Sequence, residues 1–289
     1  MFKKFDYQRP DNLEKAVYLL KNNDEAEILA GGTDLLLTLR EETSPNKLLI
    51  DIKDIDQLKG IKETENYINI GALTTIREIE KSNLIKNQFT ALREAALEFG
   101  CLEIRNKATI GGNIVHASPG AESGTPLFAA EAEVEIIGPQ GKKVMPINEF
   151  WEDVGKVNLA EGEMLSRILI PKNKNRVSRY KRISRVQGMD LAVVGVTVLA
   201  TDPFALDHRQ IRIAMGAVAR TPYRNHEVEE MLSKNKIDKK LMAKAKTMLA
   251  ENISPRSSSL RASPAYKKAM VGNLTEQCLQ EMGILEGEA

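Results

Sequence analysis

The chain has 289 residues, 42% of them hydrophobic, enough to bury a substantial core in two domains or in one domain built from subdomains. Its 41 Lys and Arg stand against 40 Asp and Glu, a net charge of +1, which leaves no overall field to draw in nucleic acid or an anionic membrane surface. The two cysteines, Cys101 and Cys278, lack the paired spacing of a zinc site or an iron–sulfur cluster, so any such cluster belongs to another chain.

The opening segment, MFKKFDYQRP, has no apolar stretch behind it and does not read as a secretory signal. Together with the sparse cysteines this leads us to expect a cytoplasmic protein. DNLEKAVYLLKNN is a helix, with Asp11 as the expected N-cap and Leu13, Ala16, Leu19 and Leu20 on one face. AEILA reads as a short strand, DLLLTLREE as a short helix and KLLIDI as a second strand, giving a first α/β unit over residues 1–55.

YINIGA is the next strand, and TTIREIE carries a capping box in which Thr75 caps and Glu78 reaches back. TALREAALEFG is a helix, expected to be capped by Thr90 and stopped by Gly100. A glycine-rich segment from Ala108 to Gly124 interrupts this regular structure, and EVEIIGPQGKKVMPI then gives strand, turn and strand, closing a second unit over 56–172. The polar, basic run PKNKNRVSR marks the expected boundary to a C-terminal domain over 176–289. There the strands LAVVGVTVLA and IRIAMGAVA precede the helices HEVEEMLSKN and KLMAKAKTMLAEN. LAVVGVTVLA is the longest apolar run and is too short to span a bilayer.

In AGGTDLL, Gly31 and Gly32 leave a strand directly. Such a pair either relieves a turn or lets something approach the main chain. A second pair, Gly111 and Gly112, recurs in ATIGGNIVHASPGAESGTP, again after a β-branched residue and before a small polar one. Two loops of consecutive, unhindered N–H groups would form a nest for a diphosphate without needing a net charge. Neither loop is a Walker loop or a G-x-G-x-x-G fingerprint. His116, His208 and His226 have no metal-ligand spacing and are read as structural. Ser123 in GAESG does not form a nucleophile elbow, and Trp151 is read as a core or interface anchor.

AGGTDLL, IRNKATIGGNIVHASPGAE, YKRISRVQGMDLAVVG, AMGAVARTPYR and PRSSSLRAS occur in the order found in FAD-binding (medium) subunits of molybdenum hydroxylases. The resemblance spans nearly the whole chain and is strongest to the bacterial xanthine dehydrogenase type. It implies an α+β chain: an FAD-binding fold of the vanillyl-alcohol-oxidase (PCMH) type in two α/β subdomains, then a C-terminal domain of antiparallel sheet and helices. It further implies FAD on this chain, with iron–sulfur clusters and a molybdenum cofactor on partner subunits. Electrons would pass from the partner's clusters through FAD to NAD or another acceptor, after a purine-type substrate is oxidised at the molybdenum subunit.

Residue by residue, the resemblance implies cofactor contacts from Leu29, Ala30, Gly31, Gly32, Thr33 and Asp34, with the amides of Gly31, Gly32 and Thr33 and the Thr33 hydroxyl facing the pyrophosphate. Asp34 is alternatively the cap of the helix that follows. Thr109, Ile110, Gly111, Gly112 and Asn113 match a second loop whose asparagine bonds phosphate or ribose oxygens. Glu122 stands where relatives commonly carry an aspartate toward the cofactor's sugar chain. Leu165 either lines the cofactor or is ordinary core. Lys181 matches a lysine near the flavin, and Arg185 is a candidate contact for the acceptor or a partner subunit. No general acid or base is expected here. The alternatives are a scaffold subunit with a decayed FAD site and a stand-alone flavin oxidase.

Overall fold

The first unit is a parallel sheet built from strand–helix alternation: β1 (Asp6–Gln8), α1 (Leu13–Lys21), β2 (Ala26–Leu29), α2 (Leu35–Glu41) and β3 (Leu48–Asp51). The strand order is β1-β3-β2, with both pairs parallel, so each connection must cross over the sheet and α1 and α2 supply the crossovers. The structure, a computed structural model, describes residues 4–41, 47–186, 188–257 and 261–285. The expected end of α2 at Glu42 and the middle of PRSSSLRAS lie outside the described residues. Asn12, not Asp11, caps α1. Its Oδ1 accepts the Lys15 N–H at 2.9 Å, because the helix begins at Leu13 and only the residue directly before it can reach that amide. Asp11 instead pairs with the Lys15 ammonium at 2.8 Å.

The second unit opens with β4 (Ile61–Glu63) and β5 (Tyr67–Gly71). Six short helices follow, α3 (Ile76–Lys81), α4 (Asn83–Gln88), α5 (Thr90–Glu98), α6 (Leu102–Arg105), α7 (Ile110–Val115) and α8 (Gly124–Ala129). The unit then returns to the sheet through β6 (Glu133–Gly138), β7 (Gly141–Pro146), α9 (Ile147–Phe150), the small ribbon β8 (Trp151–Asp153) with β9 (Lys156–Val157), and β10 (Met164–Pro171). The main sheet is antiparallel in the order β4-β5-β10-β6-β7. Period-two alternation puts Ile68, Ile70, Val134, Ile136, Ile168 and Ile170 on one face, all fully buried and in one core with Ile79, Leu92 and Ala95 of the helices.

The capping box at Thr75 and Glu78 is formed. Thr90, however, is the first residue of α5 and caps nothing. The fully buried Phe89 holds the capping position, so core packing fixes this helix start and hydrogen bonding does not. The glycine-rich segment is also more regular than expected, since it contains α7 and the start of α8. Thr109 caps α7 by accepting the Gly112 N–H at 3.1 Å.

The polar residues 172–175 lead into the third layer, β11 (Arg176–Ile183), β12 (Val194–Thr201), β13 (Gln210–Gly216) and β14 (Tyr223–Arg224), antiparallel in chain order. They are followed by α10 (His226–Lys234), α11 (Lys239–Glu251) and α12 (Pro264–Glu281). α5 and α8 cover one face of this sheet and α12 the other, so every residue of β12 is buried and its sequence reads as a continuous apolar run. Cys278 is fully buried in this C-terminal core, where burial pushes its thiol well above the usual range. Among the described residues no helix is long and apolar enough to cross a membrane.

Candidate functional site

The first glycine loop joins β2 to α2. Gly31 faces the carbonyl of Lys107 so closely that a Cβ there would lie 2.1 Å from its oxygen, so the two glycine loops share a wall that admits no side chain. Gly32 sits at φ +74, a left-handed turn of the kind that gathers successive amides into a nest. The carbonyls of Gly32 and Asp34 take the first N–H groups donated within α2, from Leu36 at 3.2 Å and from Leu37 at 3.0 Å. Among the described residues no acceptor takes the N–H of Gly31, Gly32, Thr33, Asp34 or Leu35. Five consecutive amides without a protein acceptor beside a cavity are a set of donors that an anion can take together.

The second loop behaves differently. Ile110 N–H donates to Thr74 O at 3.0 Å, Gly111 N–H to Ala72 O at 2.9 Å, Gly112 N–H to Thr109 Oγ1 at 3.1 Å and Asn113 N–H to Thr109 O at 3.0 Å. The expectation that both loops offer free amides is therefore corrected: α7 and the strand end before it consume those of the second. Gly111 is small because a Cβ there would lie 2.7 Å from Ala72, not because a ligand needs its amide. What this loop can still offer is side-chain chemistry. The Thr109 hydroxyl retains its proton, and Asn113, whose Oδ1 accepts from the Ser123 hydroxyl, has its amide donors left over.

Between the loops lies a cavity of about 310 Å³, lined by Ala30, Gly31, Gly32, Thr33, Asp34, Thr109, Gly111, Gly112, Asn113 and Leu165 of the expected residues. Leu29 and Ile110 are buried, 8% and 0% exposed, without lining it. His116 joins the lining, as do Phe99, Leu159 and Met164, apolar residues that carry no signal in the sequence. Among the described residues no Lys or Arg lines the cavity. Its acids are Asp34, whose Oδ2 lies 3.4 Å from the Thr33 hydroxyl, and Glu27, paired with Lys47. An anion here is met by backbone dipoles and not by countercharge.

Glu122 and Lys181 stand outside this lining. Glu122 is 5% exposed and accepts from Arg182 Nη1 at 2.9 Å, and burial nonetheless pushes its carboxyl up to about 7. Arg182, a side chain the sequence reading passed over, also binds Glu98 at 3.1 Å and the Asp190 carbonyl at 2.8 Å. Lys181 is turned the other way along β11, onto Glu281 of α12 at 2.5 Å. Two-residue alternation explains the split, since Tyr180 and Arg182 look toward α5 and α8 while Lys181 looks toward α12. Arg185 is exposed and pairs with Asp190 at 3.0 Å. Trp151 is a core anchor, 8% exposed, with its indole N–H on Ile114 O at 3.1 Å. Among the described residues no group of His, Cys, Asp or Glu is placed to hold a metal ion, and His226 bonds Glu229 at 3.1 Å.

Comparison with known proteins assigns the class. Residues 3–173 match the family described as "FAD binding domain in molybdopterin dehydrogenase", and residues 178–282 match the "CO dehydrogenase flavoprotein C-terminal domain". Relatives include the xanthine dehydrogenase FAD-binding subunit of Escherichia coli O157:H7, 30% identical over 97% of both chains. The carbon monoxide dehydrogenase medium chain of Hydrogenophaga pseudoflava is 30% identical over 96% of both. Among solved structures, reconstituted CO dehydrogenase from Oligotropha carboxidovorans matches with a TM-score of 0.91 at 27% identity, covering 97% of this chain and 98% of that one. The class is thus an FAD-binding oxidoreductase subunit. The chain belongs to the family of FAD-binding subunits of molybdenum hydroxylases.

Proposed function

We propose that this chain holds FAD between its two glycine loops and relays electrons within a larger hydroxylase complex. The observation that carries the reading is the run of five unpartnered amides, residues 31–35, at the edge of the cavity. FAD, when bound, supplies the ability to take electrons singly and deliver them as a pair. The chain's residues provide the position. The amides of Gly31, Gly32, Thr33, Asp34 and Leu35 receive the pyrophosphate, and the Thr109 hydroxyl and Asn113 amide meet phosphate or ribose oxygens. Phe99, Leu159, Met164 and Leu165 form the apolar wall that keeps water from the cofactor. Lys181 comes to the flavin only if its pair with Glu281 opens on cofactor binding or assembly. Glu122, held by Arg182, reaches the cofactor's sugar chain only by giving up part of that pair.

The partners we assign are an iron–sulfur subunit and a molybdenum-cofactor subunit, in the cytoplasm, with a purine of the xanthine type oxidised at the molybdenum subunit and NAD as acceptor. Support comes from the xanthine dehydrogenase relatives. The test is to copurify the chain with its partners, strip the flavin and add it back. Loss and return of xanthine-dependent NADH formation is the expected result. A complex that reduces the acceptor fully without flavin overturns the relay, and activity with a dye but not with NAD overturns the acceptor.

A further inference from the structure

A second cleft, of about 60 Å³, shares no lining residue with the FAD cavity. Its walls include Pro119 and Gly120 from the segment after α7, Ala217 just beyond β13, and three cations, Arg256, Arg261 and Lys267. Among the described residues no Asp or Glu lines it. The wall is rigidly made. Ala217 sits at φ +62, a left-handed backbone that a non-glycine residue adopts only under constraint. There its N–H donates to Pro119 O at 2.6 Å and its carbonyl accepts from Lys267 Nζ at 2.7 Å.

Lys267 is the unusual member. It is 7% exposed, its charge faces no carboxylate among the described residues, and only one of its three donors is taken. It also lies in the first turns of the 18-residue α12, whose first turn holds no acid, so the helix end adds to the positive potential. Burial, with Arg256 and Arg261 nearby, holds its ammonium below the usual lysine range. A buried ammonium that meets only a carbonyl, at a helix N-terminus and beside cationic side chains, carries a desolvation cost that an anion would offset.

We propose that this cleft binds one oxyanion group, gripped by Lys267, Arg256 and Arg261. Its volume is about that of two waters, which admits a single carboxylate or phosphate-sized group and excludes a nucleotide. The group has two possible sources of the same chemistry, a free inorganic anion or an acidic side chain that a partner subunit presents when it docks. The full chain is titrated calorimetrically with inorganic phosphate in chloride buffer, beside Arg256→Ala and Lys267→Gln. Saturable binding, weakened on the order of tenfold or more in Arg256→Ala, is expected. Arg256 is exposed, so its variant folds even if Lys267→Gln does not. The assembled complex then separates the sources: phosphate binding that persists there identifies a free ion, and binding that vanishes identifies a partner's carboxylate. No saturable binding, or equal binding in wild type and Arg256→Ala, overturns the proposal.

Discussion

The two glycine loops are alike as sequence and opposite as structure. AGGTDL leaves the five amides of residues 31–35 without acceptors, whereas in TIGGN the amides of residues 110–113 are taken by Thr74, Ala72 and Thr109. Each loop needs its first glycine for the same reason, close approach of another backbone: Lys107 at Gly31 and Ala72 at Gly111. What differs is what the chain does next. The first loop turns through a left-handed Gly32 before its helix starts, while the second enters its helix at once behind the Thr109 cap. A dipeptide of glycines therefore says that something comes close, and the following residues decide whether that something is a ligand or the protein itself.

The largest effect expected from breaking this comparison is at Gly31. Gly31→Val must displace a main-chain carbonyl 2.1 Å from its Cβ, so about 2–3 kcal/mol of stability is lost, and FAD binding with it. Gly112→Ala meets only the Thr109 hydroxyl, at 3.1 Å, and is expected to stay folded. Urea denaturation of both variants checks this; equal losses would mean that the shared wall is softer than its geometry implies.

Two acids extend the contrast, Asp34 of the first loop lying in the cavity lining and Glu122 buried beside Arg182. The folded-state carboxyl of Glu122 is raised from 4.5 to about 7, so the folded protein binds the proton more tightly than the unfolded chain does. That contribution is complete below about pH 4.5 and is lost as pH rises through about 7, amounting to at most about 3 kcal/mol. In Glu122→Gln the stability should fall less between about pH 5 and about pH 8 than in wild type. Parallel pH profiles from chemical denaturation would remove Glu122 as the cause.

Proline separates the loops most cleanly, because Leu35 and Ile110 are each the first residue of a helix, where proline's fixed φ is accepted. Leu35→Pro removes an N–H with no partner and should leave stability unchanged while weakening FAD about tenfold or more, with Leu35→Ala controlling for the side chain. Ile110→Pro removes an N–H already donated to Thr74 and should cost about 1–3 kcal/mol of stability beyond Ile110→Ala, the control for its fully buried side chain. Fluorescence titration with FAD and urea denaturation read the two effects separately. If Leu35→Pro binds FAD like Leu35→Ala, the Leu35 amide does not face the pyrophosphate.

Much of this was legible in the sequence, and the failures have a common cause. The strands of the core and the capping box at Thr75 follow from local pattern, and the first loop's residues do reach the cavity. β11 escaped because neither face is an apolar alternation: Val177, Arg179, Lys181 and Ile183 face α12, and Ser178, Tyr180 and Arg182 face α5 and α8. Without that strand, Lys181 could not be seen to point away from Arg182. The fate of the Ile110 and Gly111 amides was invisible for a similar reason, since their acceptors at Thr74 and Ala72 are some 40 residues away. Long-range partners decide both cases, and local pattern carries no record of them.

The smallest expected effect is at Ser123, ten residues from Asn113, where no spacing rule links the two. Its hydroxyl donates to Asn113 Oδ1 and so fixes which end of the amide meets the cavity. Ser123→Ala leaves every lining residue in place but lets that amide turn, and FAD should bind about threefold to tenfold more weakly. In an Asn113→Ala background the same change should do nothing, because no amide remains to orient. The double-mutant cycle thus distinguishes positioning from a general loosening of the segment. Additive losses would place Ser123 among the residues that merely pack. A vanishing second loss would show that Ser123 acts on the cofactor only through Asn113, a side chain held in one orientation on a loop whose backbone is committed to the fold.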